Sequence, residues 1–348
     1  MGRSSSRDPG KVTITEVAKH AGVSLATVSR ALNGVRTVDP ALVERVRASA
    51  DALGYQANPL ARSLVSGRTQ TIAVVVPDLG NPTFQAVLRG LSRAAAAESY
   101  HVLIADSAEQ VAAERELAGA TRRRTDGLIL CAPRMPEDEL LALLPQVAPA
   151  VLVNRAAATA APAVAADYGT ALGALLDHLH GLGHRRFAYI SGLARSASNA
   201  ARLDAIAAFR RAHPDTAVAE LPSGVDFDSG AAAADAVLAT DATAVLAFND
   251  LVAMGLLSAL TERGVRVPED LSITGFDDIP FAPYTHPPLT TAAVPSVELG
   301  ERAWAAMSGL LAGGPVPESV LLTPQITVRG STGPVRPETL NQGARQGP

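Results

Sequence analysis

The sequence predicts an all-α head followed by a two-lobed α/β body with parallel sheets and helices on both faces. Three observations carry this reading. The chain has 348 residues, a length that suits two or three domains. It is 47% hydrophobic and 18% charged, enough apolar side chain to bury large cores. From residue 71 onward short apolar β-like runs alternate with helical patterns, the signature of βαβ units around parallel sheets.

Charge separates the two parts. Residues 1–70 carry ten basic and five acidic side chains, a balance of +5, while the whole chain is −4, so the remainder carries −9. A basic head on an acidic body fits a polyanion-binding module, although an ordinary solvated surface has the same composition. Cys131 is the only cysteine, which excludes an intrachain disulfide and a Cys-based zinc cluster and fits a reducing, cytoplasmic setting. The polar stretch Met1–Gly10 lacks the apolar core of a secretory signal. Apolar runs such as Ile72–Val76 are far shorter than the ~18 residues that span a bilayer.

In the head, Ile14, Val17, Ala18 and Ala21 recur at helical spacing and Gly22 ends the helix. Ser24 is a good N-cap for a second helix, in which Val28 and Leu32 point inward. Its other face carries Leu25, Ala26, Ser29, Arg30 and Asn33. A third pattern, Val43, Val46, Ala50 and Leu53, follows Asp39-Pro40, where proline suits a first turn. Two short helices joined at a tight glycine turn and braced by a third form a helix-turn-helix layout. A second helix with small hydrogen-bonding side chains and one Arg suits a surface that enters the major groove.

Residues 13–33, TITEVAKHAGVSLATVSRALN, with Val43–Tyr55 and Asn58–Leu64, resemble the LacI/GalR family of bacterial repressors. The resemblance extends over residues ~13–332. It implies that Leu25 and Ala26 occupy the first specificity positions of the recognition helix and that Arg30 contacts a base. It also implies that Thr15, Ser24, Thr27 and Ser29 mostly hold phosphates. Leu25 and Ala26 cannot hydrogen-bond to bases and would pack against thymine methyls or exclude a wrong base.

Asn58-Pro59 can open a helix, with Leu60, Ala61 and Leu64 along one edge, but about two turns are marginal alone in water. By itself the segment reads as a linker whose leucines pack on the core. The family resemblance makes it a hinge helix that pairs with its dimer mate in the minor groove. Asn58, Ala61 and Arg62 would face DNA there, and Leu64 would wedge between base pairs.

The expected strands of the body are Ile72–Val76, Val102–Ala105, Gly127–Leu130, Val151–Val153, Phe187–Ile190, Ala244–Phe248 and Ser272–Gly275. The series breaks near Val164–Asp167, which predicts two similar lobes. A strand at Leu289–Val294, a helix over Val297–Leu311 and a last strand over Val320–Val328 return the chain across the cleft. The result is a periplasmic-binding-protein-like body hinged around a small ligand. The resulting domain plan is a disordered N-terminus (1–12), a helix-turn-helix domain (13–57), a hinge helix and linker (58–70), an effector-binding and dimerisation body (71–333) and a disordered tail (334–348). Lobe 1 takes about 71–165 plus 290–318, and lobe 2 about 166–289 plus 319–333.

Ligands of open α/β sheets sit beyond the carboxyl ends of the strands. The residues there are polar: Asp78, Asp106, Asn154, Arg155, Asn249, Asp250, Asp277 and Asp278. Several can be simple helix caps, but Arg155 and the convergence from both lobes suit a polyhydroxyl ligand. The resemblance adds that Asn81-Pro-Thr-Phe84 matches an Asn-Pro-x-Phe loop, with Phe84 packing on the ligand. It places Arg155, Arg202, Asn249 and Asp277 at positions that grip sugar hydroxyls, and Ser196 and Ser198 on an effector-contacting loop. The chain departs from the pattern at Val294, where many sugar-binding members carry Gln, and at Phe227, two residues late for the aromatic expected before Ser229-Gly230.

His178, His180 and His184 form a cluster, but the Gly181–Gly183 helix end between the last two breaks a ligand geometry, so no metal is expected. No Lys-bearing phosphate loop and no G-x-S-x-G elbow occur. The expectation is a cytoplasmic, homodimeric, non-enzymatic transcription regulator that requires no cofactor. It would be a repressor on a palindromic operator, controlled by a small effector such as a sugar. The rival is a sugar-binding protein or an enzyme built on the same body.

Overall fold

The computed structural model describes residues 12–32, 38–55, 67–155 and 161–336. The chain divides into two compact units, Met1–Thr69 and Gln70–Pro348.

In the first unit, α1 (Ile14–Ala21) opens on a capping box: Glu16 N–H donates to the Thr13 hydroxyl, and Thr13 N–H donates to the Glu16 carboxylate at 2.7 Å. Gly22 closes it in the left-handed region, φ 63°. Helix α2 (Leu25–Leu32) starts at Ser24, whose hydroxyl accepts from Thr27 N–H at 3.1 Å. Helix α3 (Pro40–Ala52) is capped by Asp39, which accepts from Ala41 N–H at 2.7 Å. Val17, Val28, Ala31 and Val46 are fully buried between the three helices. Val12, assigned above to a disordered N-terminus, packs against this core.

The second unit runs β1 (Thr71–Val76), α4 (Pro82–Ala97), β2 (His101–Asp106), α5 (Val111–Arg122), β3 (Gly127–Cys131), α6 (Glu137–Leu143), β4 (Ala150–Val153) and β5 (Ala163–Ala166). It continues through α7 (Tyr168–Gly181), β6 (Arg186–Ser191), α8 (Ala197–Ala212), β7 (Ala217–Pro222), α9 (Phe227–Ala232), α10 (Ala234–Leu238), β8 (Ala244–Ala247), α11 (Asp250–Glu262) and β9 (Ser272–Thr274). It ends with β10 (Thr291–Ala293), α12 (Ser296–Leu311), β11 (Val320–Leu322) and β12 (Gln325–Thr327). Two parallel sheets result, with strand orders β11-β5-β4-β3-β1-β2 and β7-β6-β8-β9. The central strands β1 and β3 are buried almost throughout, as Val- and Ile-rich runs covered on both faces must be. Strands β10 and β12 pair antiparallel between the sheets.

The structure corrects the expected end of the chain. The single strand over Val320–Val328 is two strands in two different sheets. Val320–Leu322 pairs with Val164–Ala166 and therefore belongs to the first lobe, not the second. The apolar run is interrupted by Pro324, which lacks the N–H that a continued ladder needs. Strands β5 and β7 were not foreseen; their alanine-rich runs carry little strand signal. The tail begins later than expected, since Val335 N–H donates to the Leu182 carbonyl.

Helices close each lobe by backbone-to-backbone contact. A Cβ added to Gly90 of α4 would run into the Val297 carbonyl, and one on Gly300 of α12 into the Val87 carbonyl. Gly230 of α9 and Gly255 of α11 repeat this arrangement in the second lobe. Around the strands that return the chain, Asp167 N–H donates to the Leu322 carbonyl, Asp277 N–H to the Ala292 carbonyl and Ile273 N–H to the Ser331 carbonyl. No helix among the described residues is long and apolar enough to cross a membrane.

Candidate functional site

On the head, burial of Val28 and Ala31 turns the opposite side of α2 outward. Ser24, Leu25, Ala26 and Arg30 are exposed, Thr27 and Ser29 are half-buried, and Thr15 is exposed on α1. Leu25 keeps 50% of its surface open to water. The Ser24 and Thr27 hydroxyls lie 2.8 Å apart and hydrogen-bond to each other. This surface has the width of one helix, carries one cation and presents small side chains, so it can enter a major groove. Asn33, Asn58, Ala61, Arg62 and Leu64 lie outside the described residues.

In the body, a narrow cleft with a cavity volume of about 40 Å³ lies at the carboxyl ends of both sheets. One wall begins at Asn81, which caps α4 by accepting from Thr83 N–H at 2.9 Å and so aims Thr83 and Phe84 inward. The opposite wall is set by α8. Ser196 caps that helix, and Ser198 and Arg202 line the cleft from its first turns. Asn249 caps α11, accepting from Val252 N–H, while its amide nitrogen donates to the Val225 carbonyl at 2.8 Å. Asp277 follows β9 with φ 108°, a strained value for a residue with a Cβ, and its own N–H is held by Ala292.

Arg202 is the centre of this arrangement. It is 1% exposed, and its guanidinium carbon lies 4.0 Å from the Phe276 ring centre and 4.6 Å from those of Tyr168 and Phe248. Gly192 makes room for the Phe248 ring, because a Cβ there would overlap it. The Nε and Nη1 donors of Arg202 have no hydrogen-bond partner. Burial pushes the Asp277 carboxyl up to about 6, against the pull of the Arg202 charge. Buried donors without acceptors facing a carboxylate are half of a hydrogen-bond network, completed by a ligand that both accepts and donates.

A second charged pair lines the same cleft. Arg134 makes a bidentate ion pair with Glu109, at 2.8 and 2.9 Å, with little exposure of either side chain. Its loop is fastened from below by Glu114 of α5, which accepts from the Arg134 and Met135 N–H groups at 2.8–2.9 Å. Burial raises the Glu114 carboxyl, and those two N–H groups oppose the rise. Arg134 Nη1 also donates to the Ser196 hydroxyl at 3.4 Å, a bond from the first lobe to the second.

Of the residues expected at the effector site, Phe84, Ser198, Arg202, Asn249 and Asp277 line the cleft together. Ser196 sits behind Ser198, 2.8 Å from its hydroxyl. Arg155 is not among the lining residues; its guanidinium donates to the Pro133 carbonyl at 2.8 Å, and burial lowers its pKa. Glu109, Arg134, Tyr168 and Phe248 line the cleft without having been singled out. Each follows a strand end by one to three residues, so a slightly wider window beyond the strands finds them. Asp250, read as a possible cap, is instead a buried brace: it accepts from the Thr291 hydroxyl and from Ile279 N–H, and burial raises its pKa strongly.

The sequence profile of bacterial regulatory proteins of the lacI family matches residues 13–58, and that of the periplasmic binding protein-like domain matches residues 176–332. The HTH-type transcriptional repressor CytR of Escherichia coli (strain K12) is 34% identical over 92% of this chain and 96% of its own length. The chain belongs to the LacI family. The lac repressor dimer bound to operator and the anti-inducer ONPF superposes with a TM-score of 0.85 at 26% identity, covering 93% of this chain and 99% of that one. The transcriptional regulator CelR in complex with cellobiose gives 0.69 at 27% identity, over 92% and 100%. This LacI-family protein is therefore a DNA-binding transcriptional repressor with an effector-binding body, and its curated relatives are regulators rather than enzymes.

Proposed function

We propose that this repressor acts in the cytoplasm as a homodimer on a palindromic operator and responds to a small uncharged polyhydroxyl effector, a sugar or a close metabolic relative. The unpartnered donors of Arg202 opposite Asp277 carry this reading. A sugar hydroxyl accepts from the guanidinium while donating to the carboxylate, and Phe84, Tyr168 and Phe248 offer apolar faces to a ring. The lining cations Arg134 and Arg202 are balanced by Glu109 and Asp277, which favours a neutral ligand over an anion. The cellobiose bound by CelR supports the same class. Asn249 and Ser198 add polar contacts, Ser196 holds Ser198, and Arg155 steadies the loop that carries Arg134.

Leu25, Ala26 and Arg30 read the major groove, with Thr15, Ser24, Thr27 and Ser29 on phosphates. Asn33, Asn58, Ala61, Arg62 and Leu64 keep the DNA-facing roles that the family resemblance gives them. Two-fold protein symmetry requires a two-fold site. The edge strand β2 exposes Leu103 and Ile104, one on each face, beside an open sheet edge that a second copy can cover. Effector binds one lobe arrangement better than the other, and the difference in affinity sets the change in DNA binding. A thermal-shift screen of pentoses, hexoses, disaccharides and nucleosides tests the effector class. A shift confined to anions or amino acids would overturn it.

A further inference from the structure

Two of the three histidines in the 178–184 cluster have structural duties. His178 Nε2 bonds to the Thr332 hydroxyl at 3.1 Å, and His184 bonds through both ring nitrogens, to Thr243 at 2.8 Å and to the Gly333 carbonyl at 3.0 Å. His180 is different. Its Nε2 is buried and has no hydrogen-bond partner. The last turn of α7 places it against His213, the residue that caps the end of α8, with ring centres 4.3 Å apart. Phe209 packs on both imidazoles. Asp215, two residues on in the turn to β7, completes a group whose ligand atoms all lie within 4.8 Å of one another.

We propose that His180, His213 and Asp215 form a binding site for one borderline divalent transition-metal ion of the Zn²⁺, Co²⁺ or Ni²⁺ kind. Two imidazoles and one carboxylate are a donor set that such ions accept, with a remaining position for water. A tetrahedral ion with bonds of about 2.0–2.1 Å spaces its ligand atoms about 3.4 Å apart, so small side-chain rotations close the trio. The carbonyl ends of α7 and α8 meet here, and their partial negative charge favours a cation. Arg185 opposes the ion with its own charge, but it also orients the carboxylate. Its Nε donates to Asp215 Oδ2 at 2.8 Å, which leaves Oδ1 for the metal, and its Nη1 is held by the His180 and His184 carbonyls.

The ion would tie the ends of α7 and α8 together. Helix α8 carries Ser198 and Arg202 into the effector cleft at its other end. The site is independent of the effector assignment. Titration calorimetry of tag-free, full-length protein with Zn²⁺ tests it. One saturable equivalent per chain is expected, together with a Zn²⁺-dependent rise in melting temperature. His213→Gln and Asp215→Asn should each weaken binding about tenfold or more. Asp215 is exposed, so its variant keeps the fold even if His213→Gln does not. His101→Gln, on an exposed residue of the other lobe, should bind like wild type. Absence of saturable one-to-one binding, or equal affinity in wild type and Asp215→Asn, overturns the site. Loss in His101→Gln with the trio variants unaffected also overturns it.

Discussion

Replacing Arg202 with Met separates what the buried guanidinium does for folding from what it does for binding. In the unliganded protein Nε and Nη1 are buried without acceptors, which costs about 1–3 kcal/mol for each group. Three aromatic rings at 4.0–4.6 Å offset this, at about 0.5–2 kcal/mol each. The two contributions nearly cancel. Methionine fills the space and packs its sulfur on the same rings. Unliganded stability should therefore change by less than about 2 kcal/mol. Binding is another matter, because each charge-assisted hydrogen bond to effector contributes about 1.5–3 kcal/mol. Losing two weakens affinity by roughly 10²- to 10⁴-fold. The assay is urea denaturation of the free protein alongside calorimetric titration with the best ligand from the sugar screen. At 100 times its dissociation constant that ligand should stabilise wild type by about 2.7 kcal/mol, and the variant by almost nothing at the same concentration. A variant that loses more than about 4 kcal/mol of stability while keeping wild-type affinity would refute the reasoning.

Asp277 titrates at about 6 in the folded state against an ordinary 3.8, so the native state holds the proton more tightly and stability falls as pH rises between those values. Asp277→Asn should stabilise the protein at pH 7, by roughly 3 kcal/mol at most in urea denaturation, with most of the gain lost by pH 4 and effector affinity reduced. Glu109→Gln leaves Arg134 buried without its counter-charge and should cost the body about 3–5 kcal/mol in urea denaturation, whereas an unchanged midpoint would show that the pair is not buried as described. Gly300→Ala forces α12 away from the Val87 carbonyl and should destabilise by about 1–3 kcal/mol or more, while Gly173→Ala, with open space around its Cβ position, should not.

The parts of the molecule that were legible in the sequence are those with a strong local signal. The head helices carry their caps in Thr13, Ser24 and Asp39, and their cores at helical spacing. Strands β1 and β3 are continuous apolar runs covered on both faces. Strands β5 and β7 are rich in alanine, whose strand preference is low, and tertiary pairing alone makes them strands. The split at Pro324 depends on which sheet each half joins, and no local pattern encodes that. In the cleft, the strand-end rule reached Asn249 and Asp277, because they stand just beyond β8 and β9. It passed over Glu109 and Arg134, whose loops fold back through left-handed residues at Ala108, Glu109 and Ala132. Arg155 stood at a strand end by sequence, yet its guanidinium found the Pro133 carbonyl.

The central claim is that the head binds a specific two-fold DNA site and that the cleft controls it. Selection from a randomised duplex pool with full-length protein gives the site, and fluorescence anisotropy on that duplex at fixed salt, with and without effector, measures the control. The account predicts an enriched palindrome, an effector-dependent change in affinity of about fivefold or more for wild type, and Arg202→Met that binds the same duplex but ignores effector. Recovery of no palindrome, or an Arg202→Met protein that answers effector as wild type does, would contradict it.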